Sequence, residues 1–286
     1  MRPSPKSLIL DLLSSVRGQA MPVRALVAAG ELFGISAESV RVALVRLCER
    51  GTIERSERSA YRIAPPAQPV QQHVAAWTRT EERVLPWRGG WVGVHTGGLE
   101  RSDRTRVRRR ERALQFLGLR ALDAHLFIRP DNLKGGVDGV RAELRALGLE
   151  PAALAFAIAQ LDAAAEARAR ALWDGPALCR GYREARAALA RGAARLAHLP
   201  ARQAMVESFV LGGQVIRQLA VDPLLPEPIV AACERAALID AMRAYDRLGR
   251  ACWRAFMTAH GAPHLRTPRT AVAADWPKRA AAGAAA

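Results

Sequence analysis

Apolar residues recur every three or four positions over 7–17, 22–33 and 36–50, a spacing that predicts three consecutive amphipathic helices. In the first, Leu8, Ile9, Leu12, Leu13 and Val16 fall together. In the third, Val40, Ala43, Leu44 and Leu47 form the stripe, anchored from outside by Ile35, which leaves Ser39, Arg41, Val42, Val45, Arg46, Glu49 and Arg50 on the other faces. Local signals agree with these limits. Pro22 suits a first helical turn, where its missing N–H costs nothing. Gly34 breaks the second helix, Ser36 offers its hydroxyl to cap the third, and Gly51 ends it. A tight turn at 33–36 between two helices is the helix-turn-helix plan. The period then changes to two: in TIERSERSAYRI, 52–63, Ile53, Tyr61 and Ile63 point one way while Arg55, Arg58 and Arg62 stay exposed, a two-stranded wing.

Beyond it, APPAQP at 64–69 reads as a stiff, exposed link. WRGGWVGV at 87–94 reads as a turn feeding a strand, 101–117 as a strongly basic helix, 126–129 as a strand, 136–147 as a helix and 153–158 as another strand. Such short alternation suggests a compact ferredoxin-like α/β unit. From about 163 the pattern is helical, with Leu238, Met242, Tyr245 and Leu248 at three- and four-residue spacing; prolines and glycines cut the segments short, favouring a packed bundle over a coiled coil. From Thr270 the chain is alanine-rich and reads as a frayed tail, although Trp276-Pro277 could dock on the body. The expected fold is therefore mainly α with α/β, in five parts: 1–64 a winged helix-turn-helix DNA-binding domain, 65–85 a linker, 86–162 a central ferredoxin-like α/β domain, 163–269 a C-terminal helical domain and 270–286 a flexible tail.

Charge sharpens this picture. A formal net charge of +16 and a pI near 11.2 imply a surface that attracts polyanions, nucleic acid before acidic membrane. Cys48, Cys179, Cys233 and Cys252 lie far apart with no C-x-x-C spacing, so a reduced, cytoplasmic protein is expected. The first twenty residues have the charge and apolarity of a signal peptide, but Asp11 interrupts the apolar run. No apolar stretch is long enough to span a membrane. A recognition helix would place its N-terminal half in the major groove. The candidate DNA-binding residues are Ser36, which also caps that helix, with Ser39, Arg41, Val42, Val45 and Arg46 as groove contacts and Arg50, Arg55, Arg58 and Arg62 as phosphate contacts. Two valines on a face that should be solvated call for an apolar partner, either thymine methyl groups or another protein.

The run S-V-R-x-A-L-x-R-L at 39–47, followed by Gly51, resembles the N-terminal domain of the PaaX family, repressors of phenylacetic acid degradation. W-R-G-G-W at 87–91 and H-L-F-I-R-P-D-N-L at 125–133 resemble its central domain, which is similar in fold to the small CRISPR-associated Cas2 proteins. Leu172-Trp173-Asp174 and the D-P-x-L-P-type run at 221–226 resemble its C-terminal domain, and the likeness extends over about 6–259. The family more often has small polar residues where this chain has Val42 and Val45, and a tryptophan-proline-glycine element is replaced here by Glu227-Pro228-Ile229-Val230. The resemblance implies a homodimeric repressor of a catabolic operon bound to a double-stranded DNA operator, and released by an acyl-CoA effector such as phenylacetyl-CoA. Trp87, Trp91, Arg108, Arg109 and Arg129 are the place to look for that effector.

Catalysis finds little support in the sequence. The Cas2-like alternative, a metal-dependent nuclease, needs a carboxylate near the end of the first central strand, and Val94-His95-Thr96 stands there. Asp131 between Pro130 and Asn132 reads as a turn residue. His260 and His264 lack companion ligands and read as loop histidines. No phosphate-binding loop, nucleophile elbow or triad appears, so neither a catalytic residue, a metal nor a cofactor is expected. The run RSDRTRVRRRER, 101–112, sets seven arginines against Asp103 and Glu111, and reads either as a cradle for phosphates or as a solvated helix packing Val107, Leu114 and Leu117 inward. A nonspecific DNA binder and a protein-interaction module remain as rivals to the regulator.

Overall fold

The computed structural model describes residues 3–56 and 59–265. These divide into two units: the first takes the described residues of 1–78, 184–217 and 238–268, the second those of 79–183 and 218–237. The described residues are mainly helical, with two small antiparallel sheets.

The first unit begins with α1, Pro5–Ser15, capped by Ser4, whose hydroxyl accepts from the Ser7 N–H at 3.1 Å; Leu8, Ile9, Leu12 and Leu13 are buried, as their spacing predicts. A two-residue strand β1, Met21–Pro22, leads into α2, Val23–Leu32. Pro22 is thus the extended residue before the helix rather than part of its first turn. The turn into α3, Ala37–Glu49, closes with the Ile35 N–H on the Gly30 carbonyl and the Gly34 N–H on that of Glu31; this 6→1 and 5→2 pair needs the left-handed conformation that Gly34 takes at φ +71°. Gly30 is glycine for a different reason: a Cβ there would lie 2.7 Å from Val40 Cγ2, so α2 and α3 approach through its missing side chain.

After α3 come β2, Ile53–Ser56, and β3, Ala60–Ile63. The sheet has three strands in the order β1-β3-β2, not two: Met21 pairs with Tyr61 and Pro22 with Ala60. Two residues carry no readable alternation, which is why the sequence did not reveal β1. The core of this unit joins Leu8, Leu12, Leu26, Val40, Leu44, Leu47, Ile53 and Ile63 to Met205, Trp253 and Met257. Phe33 meets Phe209 edge to face at 5.2 Å, and Trp253 Nε1 donates to the Met205 carbonyl.

The stretch expected as an open link is largely helical. Pro65–Ala67 forms a 3-10 turn, followed by α4, Gln68–Ala75, another 3-10 turn, Ala76–Arg79, and α5, Thr80–Arg83. Pro65 and Pro66 are exposed, yet Trp77 is buried and Gln71 Oε1 accepts from Ser14 Oγ.

In the second unit, β4 (Trp91–His95), α6 (Arg104–Phe116), β5 (Arg120–Asp123), β6 (Leu126–Pro130), α7 (Gly136–Leu147) and β7 (Leu154–Ile158) follow in a β-α-β-β-α-β sequence. Their antiparallel sheet has the order β5-β6-β4-β7. Strand β5 was not predicted; R-A-L-D is mostly exposed and shows no buried alternation. Helices α8 (Ala163–Arg170), α9 (Gly175–Leu196), α10 (Ala201–Ala220) and α11 (Ala232–Ala259) follow, and the tail expected at 270–286, with Trp276-Pro277, lies outside the described residues. On α11, Leu238, Met242 and Tyr245 are buried, but Leu248 is 43% exposed, one step beyond the covered stripe. No helix among the described residues is long and apolar enough to cross a membrane.

Two motifs far apart in sequence meet within this second unit. Arg129, 1% exposed, donates to the carbonyls of Leu117 and Pro130 and to Asn132 Oδ1, while Asn132 Nδ2 donates to the Leu224 carbonyl at 2.7 Å. Asp222 accepts from the Leu224 N–H, and Arg235 donates to the Leu225 carbonyl. The R-P-D-N turn and the D-P-L-L-P segment are thus parts of one buried hydrogen-bonded support, in which each carbonyl lost to solvent finds a donor.

Candidate nucleic-acid interface

Helix α3 is positioned by what it buries. Val40, Leu44 and Leu47 are at most 2% exposed, so the opposite side is turned outward, carrying Ser39, Arg41, Val42, Val45, Arg46, Glu49 and Arg50, all exposed. At 100° per residue the middle of that outward side falls between Val42 and Val45, with Arg46 and Arg50 along one flank and Arg41 along the other. Ser36 caps the helix, accepting from the Ser39 N–H at 3.2 Å and donating to Ser39 Oγ at 2.9 Å. Its hydroxyl is therefore committed to the helix. Gly51, at φ +61°, ends the helix in the left-handed conformation expected of it.

No partner is found among the described residues for Arg41, Arg46 or Arg50, whose charges stand toward solvent. The ribbon divides its cations. Arg62 Nε donates to Glu54 Oε1 at 2.6 Å, directly across the β2–β3 ladder, so that charge is paired. Among the described residues the partner of Arg55 is the neutral Ser59 hydroxyl, at 3.4 Å. Alternation along β2 puts Arg55 on the face of Ile53, with Tyr61 opposite it, while Glu54 and Arg62 share the other face. The three exposed wing arginines of the sequence reading are thus not one row. Arg55 lies on the α3 side, where its charge opposes the upward push of burial on the Cys48 thiol. Arg58 lies outside the described residues.

Alongside α3 runs a groove of about 350 Å³, bounded by Ser39, Val42, Ala43, Arg46, Leu47 and Arg50 on one side and Ser4, Pro5 and Lys6 on the other. The start of α1 is a contributor that the sequence reading missed. Nothing in a periodic pattern says that residues 4–6 border residues 39–50.

The candidate effector residues are dispersed by role. Trp87 and Trp91 touch edge to face at 5.2 Å; Trp91 is buried, stacks on Trp173 and donates Nε1–H to Glu166, while the Arg170 guanidinium lies 4.8 Å from the Trp87 ring centre. Arg129 has its donors turned to the internal support, and burial, with the Arg83 charge nearby, pulls it down to about 9. Arg108 and Arg109 are exposed on α6. Their neighbour Arg110 is not part of any open cradle: it is buried and bidentate to Glu150, with Nη2 at 2.6 Å from Oε1, and also donates to the Glu100 carbonyl. Val107 is half-buried and Leu114 and Leu117 are buried, so the basic helix does pack inward along that line. At the end of β4, Thr96 is buried and its N–H donates to the His125 carbonyl. Among the described residues no group of three or more His, Cys, Asp or Glu side chains could hold a metal ion.

Residues 4–65 match the family model of PaaX-like proteins. The resemblance read from 39–47 and Gly51 therefore holds over the whole α1-to-β3 segment, the part of the chain that carries the outward face of α3. Over a longer span the fold is similar to that of a solved structure, an uncharacterized protein of Mycobacterium tuberculosis, Rv0674, at a TM-score of 0.54 and 22% identity, covering 87% of this chain and 98% of the other. A comparison with curated proteins finds no match.

Proposed function

We propose that this protein is a DNA-binding transcriptional regulator of the PaaX type, a repressor of a catabolic operon for phenylacetate or a related aromatic acid. The PaaX-like family is associated with transcriptional regulation in aromatic catabolism. The observation that carries the reading is the outward side of α3, exposed and flanked by Arg41, Arg46 and Arg50, which have no partner among the described residues, on a helix held by a buried stripe and a glycine-closed turn. In this reading α1 to β3 form a winged helix-turn-helix and the β-α-β-β-α-β unit is ferredoxin-like. α3 enters the major groove, Arg41 and Arg46 reach base edges, and Arg50 and Arg55 hold phosphates. A homodimer would present two such helices to a symmetric operator.

Release requires an effector that binds the DNA-incompetent arrangement more tightly than the competent one. An acyl-CoA such as phenylacetyl-CoA is the proposed effector; of the five residues singled out for it, Arg108 and Arg109 are the exposed ones. Footprinting of the full-length protein on the DNA upstream of its own gene, repeated with a panel of acyl-CoA thioesters, tests both parts. Protection of a discrete site that one thioester removes is the expected result. Uniform protection along the fragment would overturn the regulator reading, and a footprint unmoved by every thioester would overturn the effector.

A further inference from the structure

We propose that the paired valines of α3 read the C5-methyl groups of thymine, so that this protein's preferred site carries thymine at adjacent positions beneath the centre of the helix. The inference rests on the DNA-binding reading above and adds to it a chemical identity for what that helix recognises.

Val42 and Val45 are 43% and 54% exposed, the large apolar side chains left open on a helix whose other apolar residues are covered. Three residues apart, they are neighbours on one face. The groove beside Val42 is lined by the half-buried Pro5 and Ala43 and the buried Leu47, with the exposed cations Lys6 and Arg50 on it and Arg46 next to Val42. A complementary occupant is therefore anionic along its edges and apolar at its centre. Duplex DNA has that arrangement in its major groove, where phosphates line both margins and the thymine methyl is the apolar group on the base edges.

The geometry narrows the match. A rise of 1.5 Å per residue separates Val42 from Val45 by roughly 4.5 Å along the helix, close to the roughly 3.4 Å between stacked bases, so the two side chains address neighbouring base pairs. Valine in a helix is held near one χ1 rotamer, so its methyl groups are presented without a further ordering cost. Glu38 and Glu49, exposed on the same outward side, bound the apolar window at either end. Their carboxylates suit cytosine amino groups and disfavour phosphate.

The test starts from duplexes selected out of a random pool by the full-length protein. Each thymine in the selected sequence is replaced in turn by uracil, which removes the methyl group and keeps the base pair. Binding is then read by fluorescence anisotropy. Loss of one buried methyl contact should weaken binding about fourfold, at one or two adjacent positions and not elsewhere. The Val42→Ala and Val45→Ala proteins should each lose the penalty at one of those positions, binding thymine and uracil duplexes alike there. Both side chains are exposed, so thermal melts of the variants should match the parent. If the protein selects a sequence but tolerates uracil at every position, or if both variants keep the full penalty, the thymine inference fails and the regulator reading stands. If no sequence is enriched, the regulator reading fails and takes this inference with it.

Discussion

Arg55→Gln should weaken DNA binding where neutralising the Glu54–Arg62 pair does not. Arg55 sits on the α3 side of the ribbon, and its partner among the described residues is neutral, Ser59 Oγ at 3.4 Å, which leaves its charge to a phosphate. Arg62 lies on the opposite face with its Nε 2.6 Å from Glu54 Oε1, and the pair together carries no net charge. Each phosphate contact contributes a slope of about −0.9 to log K against log salt. Carried from 1 M down to 0.1 M salt, that one contact is worth about eightfold in affinity, or about 1.2 kcal/mol. Arg55→Gln should therefore lower affinity about eightfold at 0.1 M salt and flatten the slope by about 0.9, on preferred and random duplexes alike. The double substitution Glu54→Gln with Arg62→Gln leaves net charge unchanged and should leave the slope unchanged. Its cost to stability should be small, since exposed ion pairs contribute about 0 to 1 kcal/mol. Anisotropy titrations at four or more salt concentrations measure both slopes. A double variant that flattens the slope as much as Arg55→Gln would refute the division of the ribbon into a DNA-facing and an away-facing side.

Three further outcomes follow from the packing. Gly30→Ala pushes a Cβ to 2.7 Å from Val40 Cγ2, a rotamer-restricted side chain that is fully buried, and should cost about 1 to 3 kcal/mol in urea unfolding while also weakening DNA binding through a shift of α3. Asn132→Leu leaves the Arg129 guanidinium inside the protein without one of its acceptors and the Leu224 carbonyl without its donor; a loss of about 3 kcal/mol is expected, and a loss under about 1 kcal/mol would refute the support role of the R-P-D-N turn. Glu150 is held below its ordinary value chiefly by hydrogen bonds from Arg110, so its contribution is complete above the unfolded-state value near 4.5 and is lost as pH falls through the lower folded value. Glu150→Gln should cost about 2 kcal/mol at pH 7, with the gap to the parent closing in acid. A gap constant across that range would show that the Arg110 contact is not what stabilises the ionised carboxylate.

The first three helices were legible because each has a one-sided apolar stripe and punctuation at Ser36, Gly34 and Gly51, and local rules suffice for those. The β-α-β-β-α-β order was half legible: β4 and β6 are apolar runs, whereas β5 is exposed and irregular at Ala121 to Asp123 and looks like loop. What covers a stripe is a different question from where the stripe is. Periodicity marked Leu8, Leu12 and Leu44 as inward, but it could not show that Met205, Trp253 and Met257 share their core. The same gap explains the misplaced weight given to basic residues. A charge run shows how many arginines are present, and only the fold shows that Arg110 and Arg129 are buried against Glu150, Asn132 and backbone carbonyls while Arg41, Arg46 and Arg50 are exposed. Lys6 joined the groove beside α3 by tertiary contact alone.

The central claim is that the outward side of α3 meets base edges, and Arg46 tests it most directly, being exposed, without a partner among the described residues and next to Val42 in the lining of the groove. Binding of the Arg46→Ala protein to the selected duplex and to a random duplex of equal length, at one salt concentration, gives the change in specificity. The account predicts a loss of about 1 to 3 kcal/mol on the selected duplex beyond any loss on the random one. An equal loss on both duplexes, or no loss on either, would contradict it.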